Sequence, residues 1–264
     1  MTVTAAMATA WAVWTPDGVW IRGDRVAGPG ERSLELAPWA DAPRLIEIHS
    51  RARRPPPQVA TVVQLAHRLL SSRLTLKGAA VSRAQTDLLL GTSRGSEGVD
   101  REFWEGIRRR GSGHGSPSAF VYTLPTAAPA EVTLALGLRG SLCTVTAGEA
   151  SGLTAVARAT AHLAAGRSEA VVCGSMELST PPHLALFLLE RVSASTGCCP
   201  RLENPELGWK APRSDARLAG AAETLLGLAT ALTRAETEGK PGTAACASTG
   251  GHWASLQIAP PAVR

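Results

Sequence analysis

The sequence predicts an α/β fold built on a parallel sheet, and three observations carry this prediction. Residues 141–145 and 170–174 are short apolar runs of the kind found in buried strands. Between them, residues 152–165 place apolar side chains on one helical face and stop at Gly166. A strand, a helix and a strand joined by short links form a βαβ unit with a right-handed crossover. With 264 residues, 44% of them hydrophobic, the chain can bury a large core.

The segments before this unit alternate between extended and helical patterns. Residues 11–14 and 19–21 flank Pro16-Asp17-Gly18 and predict a β-hairpin. Residues 23–55 carry scattered Gly and Pro and predict irregular structure. The other elements predicted before residue 141 are a helix, a buried strand and a short helix, at residues 58–73, 87–90 and 101–110.

The segments after the unit predict two helices and one strand. The apolar run 184–189 predicts a helix, and the region 193–214 is expected to be a loop. An Ala- and Leu-rich stretch predicts a helix over 218–232. A polar linker over 234–242 then leads to a last strand over 253–258.

The charge balance points to a surface property and does not identify a ligand. There are 27 Lys and Arg against 22 Asp and Glu, which gives a formal net charge of +5. The basic clusters at residues 51–54 and 108–110 have no interleaved aromatic residues, so no nucleic-acid partner is expected. Each cluster is interpreted either as a solvated surface or as a docking patch for an acidic partner protein.

The composition also leads to expectations about the cellular compartment and about metal binding. The longest unbroken apolar run, residues 184–189, is too short to cross a membrane, and no basic segment precedes the apolar residues at the N-terminus. A cytoplasmic protein without a membrane segment is therefore expected. The five cysteines are odd in number and show no C-x-x-C spacing, which predicts reduced thiols, no metal site and no cofactor.

One long stretch is more specific than these patterns. Residues 119–177 resemble the N-terminal half of β-ketoacyl synthases, the thiolase-like condensing enzymes of fatty-acid and polyketide assembly. The matching features follow the family's order along the chain. They are DLLLGTSRGS at 87–96, FVYTLPTAAPAEV at 120–132, GLRGSLCTVTA at 137–147, SGL at 151–153, AGRSEAVVCGSME at 165–177 and ASTGGHWASLQI at 247–258.

The resemblance implies a layered thiolase-like fold in one ketosynthase-like domain over residues 1–264. Residues 1–190 would form a complete N-terminal half. Residues 191–264 would form an abbreviated, truncated C-terminal half, because they are too few for a second full βαβαβ repeat.

The main departure from the family lies at Glu149. Catalytic members carry a cysteine at the start of the helix after the T-A dipeptide, where the helix dipole and backbone N–H groups favour the thiolate and its oxyanion. Here the run is TAGEASG at 146–152, and counting back from Ser151 places Glu149 at the cysteine position. A carboxylate at this position cannot carry the acyl thioester used in condensation.

The remaining thiols and histidines do not restore the chemistry. Cys143 lies inside the preceding strand and is interpreted as core packing. The family's two C-terminal histidine patterns match none of the six histidines, and His252 is interpreted as a surface or core residue. The resemblance therefore implies a chain without the nucleophile and without the decarboxylation machinery.

A ketosynthase-like chain without this chemistry resembles the chain length factors of type II polyketide synthases. These non-catalytic subunits form a heterodimer with a catalytic ketosynthase and act with an acyl carrier protein. The short form resembles those of polyene and aryl-polyene, highly reducing systems. Two other hypotheses remain open, a malonyl-carrier-protein decarboxylase that initiates chains through Glu149 and a free-standing acyl-binding scaffold.

The resemblance implies roles for two segments that would meet the partner. Leu142, Cys143, Thr144 and Val145 would form the strand that pairs across the dimer. A second set would border the acyl tunnel, or else be ordinary packing at a helix start. Its members are Phe120, Val121, Tyr122, Leu124, Thr126 and Ala127. Tyr122, the only tyrosine, needs a hydrogen-bond partner if it is buried.

The last predictions concern the roles of charged residues. Glu149 is interpreted as a structural anchor that accepts backbone N–H bonds at a helix N-terminus, or as a position that drifted after the chemistry was lost. Arg108, Arg109 and Arg110 are candidates for weak docking of the acidic carrier protein.

Overall fold

A computed structural model describes residues 5–15, 18–21, 24–27, 55–74, 82–178, 183–191, 199–209 and 221–261. Its strands are, in chain order, β1 (Ala5–Thr15), β2 (Gly18–Ile21), β3 (Asp24–Ala27), β4 (Thr86–Gly91), β5 (Leu142–Val145), β6 (Ala170–Glu177), β7 (His183–Arg191), β8 (Arg201–Trp209), β9 (Gly242–Ala247) and β10 (His252–Ala259). Its α-helices are α1 (Pro57–Leu74), α2 (Glu97–Arg110), α3 (Pro117–Val121), α4 (Ala127–Leu136), α5 (Ser151–Ala164) and α6 (Ala221–Glu238).

All ten strands belong to one sheet. Its order is β5-β4-β6-β7-β1-β8-β10-β9, with β2 paired to β1 and β3 paired to β2. β4 is parallel to both β5 and β6, and helix α5 connects β5 to β6, which confirms the predicted βαβ unit. The other pairings are antiparallel, and β8 joins the N-terminal strands through three residue pairs with β1.

The sheet separates two hydrophobic cores because successive side chains of a strand point to opposite faces. In β4, Leu89 enters one core, whereas Leu88 and Leu90 enter the other. Helices α1 and α4 pack on the second core, and α5 and α6 pack on the first. Helix α5 contacts β4 and β6 as well as β8 and β10, so the sheet curves around it. Helix α5, which begins beside the candidate site described below, therefore packs against strands from both halves of the sheet order.

The predicted helix at residues 184–189 is wrong, because this segment lies in strand β7. β7 sits between β6 and β1, and both of its faces are buried: Phe187 enters one core, Leu186 and Leu188 the other. A strand buried on both faces is a continuous apolar run, which periodicity cannot distinguish from a buried helix. Pairing with its neighbours decides the conformation.

The C-terminal region holds more regular structure than predicted. Residues 201–209, expected to be loop, form β8, and the rest of the predicted loop lies outside the described residues apart from residues 199 and 200. Helix α6 extends to Glu238, within the stretch that was predicted to be a polar linker. Strand β9, which the sequence did not predict, follows the helix. β9 is rich in Ala and has few strand formers, so its pairing with β10 establishes it.

The remaining predictions near the N-terminus are confirmed in outline. β1 and β2 form the predicted hairpin, α1 covers the predicted helix, and α2 begins four residues earlier than predicted. Strand β3 lies in the stretch expected to be irregular, and residues 28–54 are outside the described residues. No helix among the described residues has the length and apolar character needed to cross a membrane.

Candidate functional site

The turn between β5 and α5 holds Glu149 beside a tightly fixed backbone. The Ser151 hydroxyl accepts the N–H of Ala147 at 2.7 Å and lies 2.6 Å from the carbonyl oxygen of Gly148, to which it donates. Gly148 has a φ of +56°, a left-handed conformation that favours glycine. Helix α5 begins at Ser151, so Glu149 lies just before its first turn, half-buried.

A second turn, between β9 and β10, closes over Glu149. The backbone N–H of Thr249 donates to Glu149 Oε2 at 3.2 Å, and the Cys246 thiol lies 3.4 Å from the Glu149 carbonyl oxygen. A Cβ added to Gly148 would lie 2.9 Å from the Cβ of Ser248. The backbone N–H that binds this carboxylate therefore comes from the C-terminal turn and not from helix α5.

None of the described cysteines occupies the position before α5. Cys143 is half-buried on β5 and packs against the core, whereas Cys173, Cys199 and Cys246 are buried. Burial raises the pKa of the Cys173 thiol far above its ordinary value, so this group stays protonated. The Cys246 thiol contacts the backbone carbonyl oxygen of Glu149, so it lies beside the turn without occupying the position before α5.

The side chains of two described histidines contact residues other than Glu149. The imidazole of His252 lies edge-on to Trp209, with ring centroids 4.1 Å apart. His162 Nδ1 lies 3.8 Å from a carboxylate oxygen of Asp87, near the start of β4. No histidine of the described ranges is hydrogen-bonded to Glu149, and no trio of His, Cys, Asp or Glu in those ranges could hold a metal ion.

The segment from Phe120 to Ala127, called the contact segment below, divides into outward and inward side chains. Phe120 and Leu124 are 57% and 56% exposed, and Thr126 is also exposed. Tyr122 is buried, and its hydroxyl donates to Glu131 Oε1 at 2.8 Å. Val121 and Ala127 are half-buried. The buried tyrosine has the partner its burial requires, and three of the six predicted side chains face outward.

Strand β5 lies at one end of the sheet order and pairs with β4 alone among the described strands. Leu142 is 40% exposed, Cys143 and Thr144 are half-buried, and Val145 is buried. The buried Thr144 hydroxyl has no hydrogen-bond partner among the described residues. Helix α4, which begins at the last residue of the contact segment, packs against β5.

Helix α2 extends the exposed apolar surface near the contact segment. Trp104 is 61% exposed, and the Phe103 ring lies 5.7 Å from that of Phe120. The last turn carries Arg108, Arg109 and Arg110, all exposed. Arg109 pairs with Glu105 at 3.7 Å, and both side chains are largely exposed.

Sequence reasoning missed Glu177, a buried carboxylate at the end of β6 that binds the loop after β4. The available signal was the run of small hydrogen-bond donors, Thr92, Ser93 and Ser96, directly after a buried strand. Such donors around a glycine favour the binding of an anion, here an internal one.

Comparisons with known proteins agree with this architecture. The family model described as beta-ketoacyl synthase, N-terminal domain, matches residues 14–203. No curated protein gives a significant match to the chain.

Solved structures share the fold at low sequence identity. The ishigamide ketosynthase/chain length factor has 16% identity and a TM-score of 0.69, with 98% of this chain and 100% of that chain covered. A type II polyketide synthase acyl-carrier protein complex with its ketosynthase, AntDE:AntF, has 11% identity and a TM-score of 0.71, with 97% and 99% covered. The ketosynthase ApeO in complex with its chain length factor ApeC, from Xenorhabdus doucetiae, has 15% identity and a TM-score of 0.57, with 95% and 98% covered.

These comparisons confirm the resemblance drawn from residues 119–177 and the thiolase-like fold expected from it. The family model covers well over half of the 264 residues. The chain therefore belongs to the beta-ketoacyl synthase family, represented here by the family's N-terminal domain.

Proposed function

We propose that this chain is a chain length factor, a non-catalytic subunit that pairs with a catalytic ketosynthase. The observation that carries the proposal is the carboxylate of Glu149 on the turn before α5, with its oxygen bound to the Thr249 N–H. In the family resemblance this is the position of the nucleophilic cysteine. A carboxylate held there cannot form the acyl thioester of condensation.

The free edge of β5 is the proposed pairing surface for the ketosynthase. An exposed edge strand presents unpaired N–H and C=O groups, and chains commonly satisfy such an edge by adding a strand from a partner. Leu142 and the unpartnered Thr144 hydroxyl would then be covered by the partner. Solved relatives of this fold include a ketosynthase in complex with its chain length factor, which supports this form of assembly.

The outward side chains of the contact segment are the proposed determinants of product length. Phe120, Leu124 and Thr126 are exposed, and their segment leads into α4, which packs against β5. In this proposal, pairing through β5 brings them close to the partner. Bulky side chains would close an acyl tunnel of the partner, and small ones would extend it. The resemblance favours a polyene as the product whose length is set in this way.

The acyl carrier protein is proposed to approach the complex with help from Arg108 to Arg110. These exposed arginines end α2, the helix that also carries the exposed Trp104. Carrier proteins are acidic, so an exposed basic turn beside the tunnel entrance would increase the rate of encounter.

The test is a reconstitution with a candidate ketosynthase and a malonyl-loaded carrier protein. We expect the two chains to co-purify and condensation to require both this chain and the active-site cysteine of the partner. The chain alone should neither become acylated nor release carbon dioxide. Acylation and elongation by the chain alone would overturn the proposal, and release of carbon dioxide alone would favour the decarboxylase hypothesis.

A further inference from the structure

We propose that Glu177 is a positioning residue that fixes the contact segment through the loop of residues 92–96. The relevance of this role to product length rests on the proposed function, because that function places the contact segment at the tunnel. The geometric part of the inference depends only on contacts within this chain.

The carboxylate of Glu177 is bound by four donors from one short loop. Oε1 accepts the Ser93 N–H at 2.7 Å and the Ser93 hydroxyl at 3.0 Å. Oε2 accepts the Arg94 N–H at 3.3 Å and the Thr92 hydroxyl at 3.2 Å. Glu177 is only 9% exposed, so the loop is folded around a buried anion. Hydrogen bonds to a charged acceptor are the stronger class of such contacts.

Within the described ranges, the carboxylate of Glu177 forms no ion pair with a cation. The guanidinium of Arg94 turns outward, is 72% exposed on its side chain, and lies 3.5 Å from Glu97. The loop dipoles therefore stabilise the Glu177 carboxylate by themselves. Replacement by glutamine, which has nearly the same shape, would direct an NH₂ group at N–H and O–H donors.

The loop in turn supports the contact segment at two points. The Ser96 hydroxyl donates to the backbone carbonyl of Thr123. Gly95, with a φ of +60°, lies so close to Pro125 that an added Cβ would be 3.2 Å from its ring. The Gly95 N–H also donates to the Thr92 hydroxyl at 2.9 Å, so the supporting residues are tied to the residues that bind Glu177.

A further contact places the start of α2 against the same point of the sheet. A Cβ added to Gly98 would lie 2.8 Å from the carbonyl oxygen of Leu178, the residue after Glu177. The chain from β4 to the contact segment is thus fixed to the end of β6. A change at Glu177 would move the segment without touching any of its side chains.

The test compares Glu177→Gln with Glu97→Gln in the full chain by hydrogen–deuterium exchange. Glu97 is a matched control because its exposed carboxylate pairs with Arg94 and Arg101 beside the same loop. We expect amide exchange at Tyr122 and Thr123 to accelerate by about tenfold in Glu177→Gln, the factor for the loss of one hydrogen bond of ordinary strength. Exchange in α5 should stay unchanged, and Glu97→Gln should match the wild type.

The same variants in the ketosynthase complex give the functional readout. At equal complex concentration, Glu177→Gln should broaden the distribution of product lengths while malonyl consumption stays within about twofold. If Glu177→Gln does not fold, Ser96→Ala, which removes the hydrogen bond to the Thr123 carbonyl together with the contact to Asp100, should change the product lengths in the same direction. Unchanged exchange over residues 120–126, or equal acceleration along the whole chain, would overturn the inference. Failure of the wild-type chain to assemble would refute the proposed function and leave the exchange result standing.

Discussion

The two strands that end the sheet order, β5 and β9, differ in the surface around them. β5 carries the exposed side chain of Leu142, and helix α4, which packs against β5, carries the exposed Leu134. β9 is built from small residues, with Ala244 and Cys246 buried under α6 and Thr243 exposed. An exposed apolar edge is a liability unless a partner covers it. The exposed leucines around β5, compared with the small residues of β9, favour β5 as the proposed pairing surface.

The largest effect is expected from a charge on the β5 edge. Leu142→Lys should weaken binding to the ketosynthase by about 100-fold, roughly 2.7 kcal/mol, because a lysine must then be desolvated in the interface. Titration calorimetry or surface binding with purified partner gives the dissociation constant. Thr243→Lys places the same charge on the opposite edge strand and should change it less than about twofold. Equal weakening by both variants would remove the distinction between the edges.

The sequence predicted the β5 side of the molecule better than the β9 side, for a physical reason. β4, β5 and β6 are runs of strand-forming residues around a helix of regular period, and local pattern is sufficient to find them. β9 has almost no strand propensity and exists because β10 pairs with it. β7 was misassigned because burial of both faces removes alternation.

The hydrogen bonds of Glu149 and Glu177 could not be predicted from local sequence patterns for a similar reason. The donor to Glu149 is 100 residues away in the chain, and Glu177 binds a loop about 85 residues before it. Contacts between residues so far apart in the chain leave no periodic pattern in the sequence. The position of Glu149 itself could be predicted, since it rests on short motifs within ten residues of one another.

The second-largest effect is expected on the length of the product, when exposed side chains of the contact segment are changed. Phe120→Ala should lengthen the product and Leu124→Trp should shorten it, each changing the ratio of adjacent chain lengths by about tenfold. Mass spectrometry of the released chains measures this ratio. Leu226→Ala is the control, because Leu226 is an exposed apolar residue on α6, the helix that packs on β9. An unchanged distribution in both contact-segment variants would confine that segment to assembly.

A smaller effect is expected where the two ends of the sheet meet, at the bond between Glu149 and Thr249. Glu149→Ala should lower the free energy of unfolding by about 1 kcal/mol, because the carboxylate that accepts the Thr249 N–H is lost. Glu149→Gln should cost less, since its amide oxygen still accepts the Thr249 N–H. Urea unfolding measures both, with Glu102→Ala on the exposed face of α2 as the control. Wild-type stability in both Glu149 variants would mean that the position drifted without a structural role.

The smallest effect is expected from charge reversal at the end of α2. Arg109→Glu should reduce the rate of carrier-dependent condensation by about threefold at low salt and have no effect near 1 M salt, where the screening length falls to about 3 Å. Arg234→Glu is a matched control. Arg109 and Arg234 are both exposed helical arginines, each 3.7 Å from a glutamate four residues away, but Arg234 lies on the α6 helix beside β9. A salt-dependent loss in Arg109→Glu alone would place carrier docking on the β5 side of the sheet, together with the pairing edge and the contact segment. A loss in both variants would show that the overall positive charge attracts the carrier and that no local patch does.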